Sequence, residues 1–202
     1  MNGYSMNLDT YEQKRLISLI NKCSTFDMFD YDKSSIDVYG CSFFDNYLYV
    51  VAKCYSCIPV VTMGYLWDGN DDVIKLDGTR DCIFDNLHKL GLNVDTDNIA
   101  DYLKFVLGIV CTEEGSLRLV QSIHDVEFSD TPSEEQFAFL ENNIKPVSTT
   151  RDSDGYTVEA NVIYSDSLYL AKMKMKEDGF FDIVSETLLC DGYSCLKQIM
   201  LL

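Results

Sequence analysis

The stretch Val158 to Ile183, VEANVIYSDSLYLAKMKMKEDGFFDI, decides how the chain is read. Its middle alternates apolar and charged residues from Ala171 through Lys172, Met173 and Lys174 to Met175, the period of a strand with one buried face. Glu177 to Gly179 has the length and the terminal glycine of a three-residue hairpin loop. Closing that loop opposes Lys176 and Phe180, and the register then sets Met175 against Phe181, Lys174 against Asp182 and Met173 against Ile183. A second loop at Ser165 and Asp166 sets Val162 against Tyr169, Ala160 against Ala171, Glu159 against Lys172 and Val158 against Met173. Both loops put Val158, Ala160, Val162, Tyr169, Ala171, Met173, Met175, Phe181 and Ile183 on the inner face, with Glu159, Lys172, Lys174 and Asp182 outside. A one-residue slip would exchange the faces, so two turns that agree specify a C-terminal three-stranded meander.

Upstream, the apolar period changes several times. Leu8 to Cys23 carries Leu16, Leu19, Ile20 and Cys23 on one side, which predicts a helix. From Ile36 to Lys75 the chain breaks into β-rich pieces (IDVYGCSFF, YLYVVAKC, IPVVTMGYLW and VIKL) separated by turn formers. Asp81 to Leu90 reads as a helix stopped by Gly91, and Asn98 as the cap of an almost wholly apolar, hence central, helix. SLRLVQSIHDVEF has strand character, and Ser133 with Gln136 forms a capping box. Lys145 to Gly155, polar and rich in turn formers, reads as a flexible loop. The order lacks βαβ alternation, so the expectation is α+β: a mainly antiparallel sheet with helices packed on one face. At 202 residues, one domain spanning 1–202 is the simplest organisation.

Composition bounds the partners. A formal charge of −17 opposes nucleic acid and anionic membrane surfaces, both of which demand clustered Lys and Arg. The start of the chain has no basic stretch followed by an apolar one, so no signal peptide is expected. Tyr47 to Trp67 is long enough to span a bilayer, but Lys53, Ser56, Pro59, Thr62 and Gly64 interrupt it. A cytoplasmic location follows, where the eight cysteines are expected to be reduced.

The motif in that run is KCYSC, Lys53 to Cys57. A thioredoxin-type site needs its first cysteine at a helix start, whereas strand-like residues follow Cys57. On a strand, Cys54 and Cys57 would face opposite ways and could share a metal ion only through a local turn. Core thiols are therefore the first reading, with Cys54 and Cys57 kept as the candidate zinc ligands. Cys190 and Cys195 flank DGYS and could be bridged across it in an oxidising setting. Asp85 and His88 are the candidate catalytic pair, three apart on the predicted helix. His124 and Asp125, adjacent on a strand, would diverge. DGNDD, Asp68 to Asp72, begins like a calcium loop but has Val73 where glycine and Thr79 where glutamate is required, and is read as an acidic turn. Glycine-rich phosphate loops, dinucleotide fingerprints and nucleophile elbows are absent, so no cofactor is expected.

These features point to a non-catalytic binding or scaffolding domain. It is expected to form a homodimer, because the apolar strands exceed what the helices can cover, and to take a small-molecule or protein ligand. The rival expectation is a small enzyme with a pocket of Tyr, Asp and Glu, or with a thiol such as Cys82 or Cys54. A zinc protein using Cys54 and Cys57 is the third.

Overall fold

A computed structural model describes residues 5–24, 27–112, 115–193 and 196. The fold is α+β with antiparallel sheets, and the chain divides into two compact units, one running to Asn93 and the other beginning at Val94.

The first unit is a meander of β1 (Ser5–Met6), β2 (Ser34–Gly40), β3 (Leu48–Cys54), β4 (Val61–Trp67) and β5 (Val73–Lys75), in that spatial order. Between β1 and β2 runs α1 (Thr10–Lys22). Asp9 begins α1 with a capping box: its carboxylate accepts the Glu12 N–H at 2.8 Å and the Glu12 carboxylate accepts the Asp9 N–H at 3.2 Å. The helix buries Leu16, Ile17 and Ile20 in one cluster with Val38, Val50, Ala52, Cys54, Met63, Tyr65 and Trp67. Those sheet residues stack in columns across the register, Val38 beside Val50 beside Tyr65 and Ala52 beside Met63. Each fully buried aliphatic there contributes about 1.5–3 kcal/mol, so the alternation itself holds helix to sheet. Asn21 fixes the chain after α1, accepting the Phe29 N–H at 3.0 Å and donating to the Phe29 carbonyl at 2.9 Å.

The acidic DGNDD stretch is the β4–β5 turn, as its composition implied, with Asp68 Oδ1 accepting the N–H groups of Asn70 and Asp72. The helix expected over Asp81 to Leu90 is two short ones, α2 (Asp81–Phe84) and α3 (Leu87–Leu90), ending at the left-handed Gly91. The break falls at Asp85 and Asn86, where the Asn86 amide turns back to the Cys82 carbonyl and competes with continued helix. From α3, Lys89 Nζ reaches Asp72 at 2.8 Å.

The second unit begins with α4 (Ile99–Ile109), whose Ile99, Tyr102, Leu103, Phe105, Val106, Leu107 and Ile109 are buried, the central helix its apolar surface implied. Asn98 does not cap it in the expected way; its side chain accepts the Asp95 N–H, while the Asp95 carboxylate accepts those of Asp97 and Asn98. Next come β6 (Cys111–Thr112), β7 (Gly115–Ser116), β8 (Arg118–Val120), α5 (Glu134–Asn143), β9 (Ser148–Asp152), β10 (Gly155–Tyr164), β11 (Ser167–Met175) and β12 (Phe181–Cys190). The strand expected over SLRLVQSIHDVEF is limited to β7 and β8, because Asp125 accepts the N–H groups of Gln121 and Ser122 and winds Ile123–Asp125 into a 3-10 turn.

The meander follows the register read from the sequence. Val158 opposes Met173, Glu159 opposes Lys172, Ala160 opposes Ala171 and Val162 opposes Tyr169. Across the second turn Met175 opposes Phe181, Lys174 opposes Asp182 and Met173 opposes Ile183. Lys176 N–H donates to the Phe180 carbonyl at 2.8 Å, closing the loop whose Gly179 sits at φ 90°. Lys145 to Gly155 is corrected from flexible loop to β9 and its hairpin turn, because Thr149 and Thr150 suit a strand beside β10. The sheet order is β12-β11-β10-β8, with β9 also on β10. Tyr102 of α4 donates to the Gly179 carbonyl at 2.8 Å and meets the Phe181 ring edge-on, on the inner face. On the outer face Leu140 and Ile144 cluster with Val120, Ile163 and Leu168. Ile183, expected inside, is 36% exposed against 6% for Phe181, which Tyr102 of α4 meets edge-on.

Two predictions follow from these contacts. Gly155 sits at φ +134°, and a Cβ there would lie 2.2 Å from the Met175 carbonyl oxygen. Gly155→Ala should therefore destabilise by about 2–5 kcal/mol in urea unfolding, from strain and overlap together. Hydrogen bonds from Lys89 and Tyr47 hold the Asp72 carboxyl below its usual range. Its contribution is complete above the ordinary carboxylate pKa and fades as pH falls through the lowered folded value. Asp72→Asn should accordingly flatten the acid limb of thermal stability against pH.

Candidate functional site

Strand β12 is the longest of the strands in the second unit that pair on one side only. Among the described residues it pairs with β11 alone, and every position from Asp182 to Leu188 is exposed. Its apolar side chains point to both faces: Ile183, Val184 and Leu188 are 36%, 52% and 49% exposed. Leu170 of β11, 40% exposed, extends the apolar surface beside Thr187. Register shifts against β11 leave Val184 and Leu189 without a direct partner, the extra residues of two bulges. The ladder of Ser185 to Leu188 between them is regular. An edge of this length, with apolar side chains and backbone groups turned to solvent, is a template for another strand.

Behind the edge, on the inner face, lies a cleft of ≈ 280 Å³ lined by Thr112, Val162, Tyr164, Tyr169, Ile183 and Glu186, among others. Thr112 Oγ1 donates to the Gly115 carbonyl at 2.8 Å, so the Tyr164 hydroxyl, 2.8 Å away, donates to Thr112. Glu186 stands opposite Ala171, which brings a carboxylate onto an otherwise apolar strip. The edge and the cleft share Ile183 and Glu186, so a strand laid on β12 would sit at the rim of the cleft.

The sequence-predicted candidates lie elsewhere. Asp85 ends α2 and His88 belongs to α3; both are exposed, and no hydrogen bond or ion pair joins them among the described residues. His124 lies in the 3-10 turn, and its neighbour Asp125 is taken up by Lys104 Nζ at 2.8 Å. Cys54 and Cys57 do come together. Cys54 ends β3 and the chain turns at once, so Cys57 Sγ lies 3.8 Å from Cys54 Sγ. The strand expected through Cys57 is corrected, since β4 starts only at Val61. No group of three or more His, Cys, Asp and Glu suited to hold a metal forms among the described residues. Burial pushes the Cys82 thiol up to about 11 and Cys41 up to about 12, and raises Cys23 and Cys190 as well. These four thiols hold their protons at neutral pH, as does Cys57, which its hydrogen bond to Cys54 raises, so none of the five is a fast nucleophile there. The suggested bridge from Cys190 to Cys195 involves a residue outside those described.

No helix among the described residues is long and apolar enough to cross a membrane. Compared with protein-family models, curated proteins and solved structures, the chain matches none.

Sequence reasoning passed over the β12 edge and Glu186. A signal was there: FDIVSETLLC does not alternate, so its apolar residues must fall on both faces. That pattern suits either a strand buried on both sides or an edge awaiting a partner. Because Asp85 and His88 are exposed and unlinked, His88→Ala should move stability by no more than about 0.5 kcal/mol in urea titrations.

Proposed function

We propose that the chain is a non-catalytic cytoplasmic binding and scaffolding protein that self-associates by pairing β12 with β12 of a second copy. The observation that carries this reading is the unbroken exposure of Asp182 to Leu188 on a ten-residue outer strand. A second copy is the occupant best matched to it. Two-fold antiparallel pairing brings Ile183, Val184 and Leu188 of both chains into one seam, where they lose exposure together. Charge selects the centre of that pairing. Centred on Ser185, Asp182 faces Leu188 and Glu186 faces Val184 of the other chain. Moving the centre one residue back sets Asp182 against Glu186, and one residue forward sets Glu186 against itself, each a like-charge opposition that destabilises a strand pair. The charge of −17 on each chain opposes association at long range and also supports a partner set without nucleic acid or anionic membranes. Salt screens that repulsion, so the dimer should tighten as ionic strength rises.

A second reading, a small-molecule pocket, draws on the cleft, where Tyr164, Tyr169 and Glu186 converge on an apolar floor. It places the ligand behind the edge instead of along it.

Light scattering on the full chain tests the first reading. The native protein should have twice the monomer mass, and Val184→Lys with Leu188→Lys should return it to one, with circular dichroism unchanged because both side chains are exposed before pairing. A native protein of monomer mass at every salt concentration would remove the proposal.

A further inference from the structure

The Cys54 and Cys57 pair is a different feature in the first unit, and it rests on none of the argument about β12. The two thiols sit at the exit of β3, where the chain turns so sharply that residues three apart in sequence put their sulfurs 3.8 Å apart. Their surroundings are unequal. Cys54 is 1% exposed, belongs to the cluster under α1, and donates its S–H to the Met28 carbonyl at 3.4 Å. Cys57 is only partly buried and stands between Tyr55 and Ile58, which are 56% and 100% exposed. Cys57 donates its S–H to Cys54 Sγ, whereas Cys23 donates to Leu19 and Val73, Cys82 to Thr79 and Cys111 to Ile109, all backbone carbonyls.

We infer that Cys54 and Cys57 form a reversible thiol–disulfide site whose co-reactant is a low-molecular-weight disulfide. Cys57, the accessible thiol, is raised by its hydrogen bond to Cys54 and reacts through its small thiolate fraction, so the exchange is slow at neutral pH. It gives up its proton and attacks one sulfur of that disulfide, releasing the other half as a thiol and leaving a mixed disulfide on Cys57. Cys54 then gives up its proton and attacks Cys57 Sγ, expelling the second half as a thiol. The protein loses two electrons and two protons, and one small disulfide becomes two thiols, so the exchange balances and runs backward in excess thiol. Bonding requires the sulfurs to close from 3.8 Å to about 2.05 Å, a movement that side-chain rotation within a turn can supply. Sequence separation favours this partner over every other, because the loop to be closed is a single turn.

The order of attack gives the test its discrimination. The full chain, freed of metal with a chelator, is equilibrated against mixtures of oxidised and reduced glutathione, and its mass and peptide map are read after acid quenching. The expected product is a chain lacking two hydrogens, with the bridge mapped to Cys54 and Cys57 and reversed by reduced glutathione. Cys54→Ser should stop at one glutathione on Cys57, and Cys57→Ser should give neither bridge nor adduct at this turn. A bridge that forms elsewhere while Cys54 and Cys57 stay reduced would overturn the inference. So would Cys54→Ser protein that takes no glutathione at Cys57. Zinc retained by the native protein at about one equivalent and shielding both thiols from oxidation would overturn it too, in favour of a metal site.

Discussion

The second unit depends on the ladder between β10 and β11. Nine residue pairs run without interruption from Tyr156 and Met175 to Tyr164 and Ser167, and the residue-by-residue alternation along them decides what is buried. Val158 and Met173, both wholly buried, lie on the face that meets α4, while Lys172 and Lys174 alternate with Met173 and Met175 and stand in water. Any slip by one residue would drive two ammonium groups into that face and the methionines out of it. The cost of desolvating those charges far exceeds what one hairpin turn can favour, so side-chain chemistry holds the register and the turns only permit it. Strand β12 inherits its place from β11 and α4 inherits its floor from the same alternation.

In the first unit the corresponding constraint is a column of packing between α1 and the sheet. Leu16 and Ile20 are both wholly buried, as are Val50, Ala52 and Tyr65 beneath the helix. The Asn21 amide, bonded to both backbone groups of Phe29, returns the chain from helix to sheet and seats the Phe29 ring edge-on to Tyr65. Polar satisfaction and apolar packing thus meet in one turn. With the cluster and the clamp removed, α1 would keep only its cap and its intrinsic propensity, too little for a helix of thirteen residues in water.

How legible these features are depends on how local their causes are. The Ser133 capping box, the Gly91 stop and the DGNDD turn are each set by neighbours within a few residues, and the meander register by a strict alternation between two short turns, so each can be read directly. Boundaries that depend on competition are not legible in the same way. Asp81 to Leu90 has a helical apolar stripe, yet Asn86 diverts the backbone; Asp125 winds a strand-like segment into a turn by accepting two N–H groups. Lys145 to Gly155 looks like a loop because its residues are polar, but a strand whose side chains mostly face solvent is polar as well. The meeting of Cys54 and Cys57 hinges on where β3 ends, which has no short-range signature, and the non-alternating FDIVSETLLC suits a strand buried on both sides as well as an outermost one.

The length of β10 has a consequence for dynamics. One of its edges is shared by β9, at Gly155 to Glu159, and β8, at Asn161 to Ile163, while the other is occupied by β11 from Tyr156 to Tyr164. It is therefore the strand with the most backbone protection, whereas β12 pairs on one side only. Amide protons should exchange on a gradient across the sheet, slowest on β10 and faster outward to β12. Since β9 to β12 join through successive tight hairpins, their contacts are short in sequence, and this half of the unit can assemble before α4 and β8 dock on it.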